Sequence, residues 1–145
     1  MEWYMEAWRN TFDFSGRATR SEYWWYNLVN SAVMFVISFA FSAYMMTSVL
    51  NTQYYEPNMF VIMSIFGVMI IFGIATFIPT LSVSVRRLHD VGMSGWWLLI
   101  GLVPLLGPLY LLYKFCCDSE LGENDFGPNP KGEHGYDMGV FDEIE

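Results

Sequence analysis

Charge is what this chain lacks over most of its length. No Asp, Glu, Lys or Arg occurs from Tyr23 to Tyr55, from Pro57 to Val85, or from Val91 to Tyr113. Each run reaches the roughly 20 apolar residues that carry a helix across the hydrocarbon core of a bilayer. A hydrophobic fraction of 54% leaves too little polar surface for a soluble globule of 145 residues. Basic residues are scarce as well, 7 against 15 acidic, which excludes the basic face a nucleic-acid partner needs. With two cysteines and two histidines, no zinc-type ligand spacing can be assembled, and neither a metal nor a cofactor is expected. A short basic leader is also missing. The long aromatic-rich segment before the first run argues against a cleaved signal peptide.

What charge there is, is unevenly placed. Residues 1–115 carry six basic and six acidic side chains, whereas residues 116–145 carry nine acidic ones against Lys131 alone. The chain therefore divides into a membrane domain, 1–115, and an acidic tail, 116–145. Three spans are expected, at about 27–50, 59–85 and 96–115. Arg9, Arg17 and Arg20 precede the first and Arg86 and Arg87 follow the second, while the intervening loop NTQYYEPN has no Lys or Arg. By the positive-inside rule the N-terminus and the RRLHD loop are cytoplasmic, and three spans put the tail outside. The third span has a rival reading. Pro104 and Pro108 each remove a helix hydrogen bond, so the segment either kinks once or turns back as a re-entrant hairpin at PLLGP. The hairpin would return the tail to the cytoplasm.

Local signals fill in the architecture, an all-α membrane protein. The segment EWYMEAWRNTFDF places Trp3, Tyr4, Ala7 and Trp8 on one side of a short helix suited to the membrane interface. Thr19 and Glu22 have capping-box spacing, so the first long helix starts near Arg20. Gly92 suits the position just past the end of the second, and Ser94 the N-cap of the next segment. Asn27, Asn30, Ser31, Ser38, Ser42 and Ser48 share a face of span one. Ser64, Gly67, Ala75, Pro79, Ser82 and Arg86 share one on span two. Such faces are expected to meet each other. In the tail, GENDFGPNP is rich in turn residues and the acidic remainder is expected to be flexible, apart from local contacts of Tyr136 and Phe141.

Three motifs stand out: FSGRATRSEYWW (residues 14–25), RRLHDVGMSGWW (86–97) and GENDFGPNP (122–130). Together they resemble the YhaH-like bacterial inner-membrane family filed as domain of unknown function 805, over about residues 3–130. Asp125 departs from the resemblance, standing where a basic residue is common, and so does the acidic extension after Lys131. The resemblance implies a multi-pass inner-membrane protein and brings no activity with it.

The charged motifs allow three readings. In the first, Glu22, Arg86 and Asp90 form a structural ion-pair cluster, with Arg86 and Asp90 as i,i+4 neighbours. In the second, Arg17, Arg20 and Arg87, with His89 beside them, hold lipid headgroup phosphate, which the planar guanidinium fork suits. In the third, His89 and Asp90 carry catalysis or proton transfer, although no nucleophile pairs with them. Cys116 and Cys117 are expected to pack at the membrane edge. The functional expectation is a non-enzymatic scaffold or modulator of a partner membrane protein, or a lipid-binding component. Its partners would be membrane lipids, anionic ones included, and further copies or another membrane protein. The alternative is an oligomeric transporter or channel subunit.

Overall fold

The computed structural model describes residues 2–50 and 58–132. The acidic stretch expected to be flexible, with Tyr136 and Phe141, lies outside them. The regular elements among the described residues are all helices, with no strand, only an isolated bridge between Asn124 and Gly127. α1 is Glu2–Arg9, α2 is Arg20–Leu50 and α3 is Met59–Asp90. A 3-10 helix, Gly95–Leu102, and α4, Leu106–Cys116, complete the order.

α2 and α3, of 31 and 32 residues, are long and apolar enough to cross a membrane. At 1.5 Å per residue each is about 46–48 Å long, well beyond a hydrocarbon core of about 30 Å, so their charged ends can reach water. α2 starts where its cap predicts, with the Glu22 amide donating to Thr19 Oγ1 at 3.2 Å. The box is only half formed, because the Glu22 carboxylate turns to Arg86 instead. α3 begins at Asn58, whose side chain accepts from the Phe60 amide at 2.9 Å. It ends in a Schellman turn: Gly92, at φ +72°, donates to the His89 carbonyl and Met93 to that of Leu88.

The third expected span is not one helix. The 3-10 helix and α4 are the two arms of a hairpin that turns at residues 103–105, as in the rival reading. Pro104 and Pro108 supply no amide donor, and Leu105 adopts φ 67°, which stops a continuous helix. The arms then pack on each other. A Cβ on Gly107 would lie 1.8 Å from the Ile100 carbonyl oxygen, so only glycine permits this approach. Trp97 and Tyr110 face each other across the arms at 6.0 Å.

Two small cores hold the base of the bundle together. In one, Ala7, Ala18, Tyr26 and Val83 are fully buried, with Tyr4 and Trp8 against them. α1 is thus packed onto α2 and α3, with Trp3 left exposed. Ser82 Oγ lies 2.7 and 2.6 Å from the carbonyl oxygens of Asn10 and Asp13, its single hydroxyl hydrogen serving either, and fixes the chain leaving α1. In the other core Leu88 meets Leu111 and Phe115 of α4, and Tyr23 lies 4.4 Å from the Phe115 ring. The polar faces of α2 and α3 pair only in part: Ser48, Pro79, Ser82 and Arg86 are buried. Ser31, Ser42, Ser64 and Ala75 are exposed, and the hydroxyls of Ser42 and Ser64 donate back to Ser38 and Phe60 of their own helices. The helices meet through Glu22–Arg86, Tyr26–Thr76 and Phe41–Phe66. Helical hydroxyls can satisfy themselves locally, so a serine stripe need not be a contact.

Candidate functional site

The last turn of α3 carries Arg86, Arg87, His89 and Asp90, all buried, with Asp90 and Arg87 at 0% exposure. A buried carboxylate at a helix C-terminus is unfavourable by itself, since the helix dipole already places negative charge there. Three donors make it tolerable. Arg17 Nε reaches Asp90 Oδ1 at 3.1 Å, Ser119 Oγ donates to Oδ2 at 2.6 Å, and Arg87 closes on Oδ2 as well. Both carboxylate oxygens are thereby taken, by one residue of the same helical turn and two from distant parts of the chain.

Glu22 and Arg86 form a separate pair at 2.6 Å, with both side chains 5% exposed. The expected contact of Glu22 with Arg86 is present; that of Arg86 with Asp90 is replaced by Arg17 and Arg87. The burial of three arginines against two carboxylates leaves one surplus positive charge, and peptide carbonyls absorb it. Arg87 donates to the carbonyls of Phe115 (3.2 Å) and Cys117. Arg17 donates to those of Gly122 (2.8 Å), Gly127 (3.3 Å), Glu120 and Asp90. The guanidinium fork, with five donors in one plane, makes such multiple capture possible.

The GENDFGPNP turn is therefore docked. The Asn124 side chain donates to the His89 carbonyl at 3.0 Å, and the Glu120 amide to that of Asp90 at 2.8 Å. Phe126 stacks on the His89 ring at 3.9 Å and 6°. His89 Nδ1 lies 3.1 Å from the Gly16 carbonyl oxygen. Among the described residues no hydrogen bond joins the His89 ring to Asp90 or Ser119, so serine, carboxylate and histidine are not linked as a relay. The tail, expected on the side opposite the arginines, is bonded to one of them through Gly122 and Gly127.

Of the cations expected to meet headgroups, Arg17 and Arg87 are inside this knot and Arg20 is outside it. Arg20 is 42% exposed, 3.1 Å from Asp118. Asp118 is also paired with Lys131, and that hydrogen bond, with the Ser119 amide, holds its carboxyl below the usual 3.8. Ser119, Asn124 and Phe126 were not among the expected site residues. The signal for Asn124 and Phe126 lies in the third motif, whose glycine carbonyls face Arg17, whereas Ser119 precedes it.

All three motifs converge at one end of the bundle, and comparison with known proteins identifies that combination. The model of the family described as "Protein of unknown function (DUF805)" matches residues 11–128. The chain belongs to the DUF805 family. Inner membrane protein YhaH of Escherichia coli K12 is 37% identical over 134 residues, covering 92% of this chain and 99% of that protein. Inner membrane protein YhaI of the same strain is 35% identical over 131 residues, 90% of this chain and 97% of the other. No solved structure matches. The DUF805 match starts just after α1 and ends within the docked turn, so it encloses Arg17, Asp90 and the Gly122 and Gly127 carbonyls together. This DUF805 protein is an integral membrane protein.

Proposed function

We propose that the chain is a non-enzymatic scaffold of the bacterial inner membrane, with its charged knot on the cytoplasmic face and its tail on that same face. The observation that supports this most is the closure of the knot: both Asp90 oxygens are taken within the protein, and Arg17 and Arg87 donate to Asp90 and to backbone carbonyls. Charges so engaged hold parts of a structure together, and the Asp90 carboxylate is left no open oxygen for a substrate. Sidedness follows from the arginines at the ends of α2 and α3. The hairpin then enters and leaves from the cytoplasm. Its arms, 8 and 11 residues long, extend only about 16 Å each, half the thickness of the core. The knot presents the exposed Asp125 turn at a fixed height above the membrane, as a scaffold for a partner membrane protein would.

The test is photo-cross-linking from position 125 in cells, with the full chain. The scaffold reading expects one discrete partner, captured by the wild type and lost in Asp90→Asn at equal protein level. Solute or ion flux through proteoliposomes holding this chain alone would instead establish the oligomeric transporter reading. One observation favours that second reading: Ser31 and Ser42 lie exposed on α2, where further copies could meet them.

A further inference from the structure

A groove runs down the outer face of α2 beside the end of α4, with a cavity volume of about 640 Å³. It is lined by Arg20, Trp24, Asn27, Leu28, Ser31 and Cys116, among others. Arg20, Trp24, Asn27 and Ser31 follow at i, i+4, i+7 and i+11, so they form a single stripe along the helix. Arg20 stands at the mouth. At 1.5 Å per residue Asn27 lies about 10 Å and Ser31 about 16 Å deeper along the axis. The stripe thus grades from a cation, through tryptophan, to isolated polar groups set among apolar ones.

Two features of this groove are not explained by packing within the chain. Ser31, deeper in the groove, has no hydrogen-bond partner among the described residues, whereas Ser42 and Ser64 satisfy themselves on their own helices. A hydroxyl facing hydrocarbon without an acceptor is costly, so an acceptor-bearing occupant is favoured there. Arg20 in turn uses only part of its fork, toward Asp118 and the Cys116 carbonyl at 3.4 Å, and is half exposed. Asp118 would oppose an anion, but its other oxygen is paired with Lys131. Arg20 and Lys131 against Asp118 leave the mouth with one net positive charge.

We infer that this groove binds one anionic diacylglycerophospholipid from the surrounding leaflet, its phosphodiester on Arg20 and its ester region facing the Asn27 and Ser31 side chains. The ligand has to be anionic at one end, hydrogen-bond accepting about 10–16 Å below it on the same helix face, and apolar beyond. A membrane phospholipid has that order of groups. A soluble phosphate lacks the lower two. Guanidinium suits phosphate geometry, and the aromatic pair Trp24 and Trp25, 40% and 49% exposed, sits at the headgroup level. This site does not depend on the scaffold reading.

The test uses the full chain in nanodiscs of phosphatidylcholine with increasing phosphatidylglycerol, released into native mass spectrometry. The wild type is expected to retain one phosphatidylglycerol in preference to phosphatidylcholine. Arg20→Gln should lower that retention about fivefold, the effect of one cation at a lipid surface. Ser31→Trp, at an exposed position outside both cores, should lower it as well by filling the deeper groove, with every charge in place. Retention equal to wild type in either variant overturns the inference. Competition by soluble glycerol 3-phosphate as effective as that by the lipid overturns it too, since it would place the recognition in phosphate alone.

Discussion

Arg17 and Asp90 are separated by 73 residues of chain and joined at 3.1 Å, both essentially without exposure. Through this contact the segment before α2 is tied to the end of α3, and the same guanidinium ties both to the tail. The consequences for stability are specific to the arginine fork. Arg17→Lys keeps the charge but cannot reach Asp90 and the carbonyls of Gly122, Gly127 and Glu120 at once. Hydrogen bonds to charged groups are each worth about 1.5–3 kcal/mol. Amide exchange at Glu120 and Gly127 should therefore speed up strongly in Arg17→Lys and stay unchanged in Arg20→Lys. Equal protection in both variants would remove Arg17 as the anchor of the tail.

Glu22 and Arg86 form the second tie. Both are buried, and breaking a buried pair from one side costs about 3–5 kcal/mol because the remaining charge is uncompensated. Glu22→Gln and Arg86→Gln should each lower the thermal stability of the detergent-solubilised protein by this order. The double variant should lose clearly less than the sum. Additive losses would show that the two side chains act independently.

The hairpin depends on close approach of its arms. Gly107→Ala puts a methyl group onto the Ile100 carbonyl, whereas a Cβ at Gly73 meets nothing within 4 Å. The first should destabilise by about 1–3 kcal/mol, as overpacking does, and lengthen the distance between spin labels at positions 97 and 110. The second should do neither. Unchanged label distances in Gly107→Ala would refute the tight hairpin.

Sidedness has a direct readout. Reporters fused ahead of α1 and after Gly132 should both be active on the cytoplasmic side. Activity of the second on the outer side alone is incompatible with the Arg17 bonds to Gly122 and Gly127, and would restore a third crossing.

Asp118 provides a pH signature. Its carboxyl is held below its usual value chiefly by the Lys131 hydrogen bond. A group depressed in this way contributes stability above its ordinary pKa of about 3.9 and loses the contribution as pH falls through the folded value. With Asp118 half exposed, the effect on overall stability is small. The carboxyl resonance of Asp118 should titrate below 3.8 and move upward in Lys131→Gln. A midpoint unaffected by that substitution would show that the surface pair is not formed in solution.

The parts of this protein legible in the sequence are those set by neighbours along the chain. Uncharged runs dictate α2 and α3, because a backbone in hydrocarbon must satisfy its own hydrogen bonds. Thr19, Gly92 and Ser94 mark helix ends, because caps act within a few residues. The Glu22–Arg86 pair was visible too, since both ends of the run carry charge to one level. What only the tertiary structure decided are the choices between partners of equal local merit. Residues 96–115 have the length and hydropathy of a span; the fit of Gly107 on Ile100 and of Phe115 on Leu88 turns them into a hairpin. Asp90 has Arg86 four residues before it, yet takes Arg17 and Arg87, because only those positions also bring Ser119 and the glycine carbonyls that neutralise the buried charge. A helical wheel ranks contacts by spacing. Burial ranks them by how completely every polar atom is satisfied, and that depends on residues brought together from the whole chain.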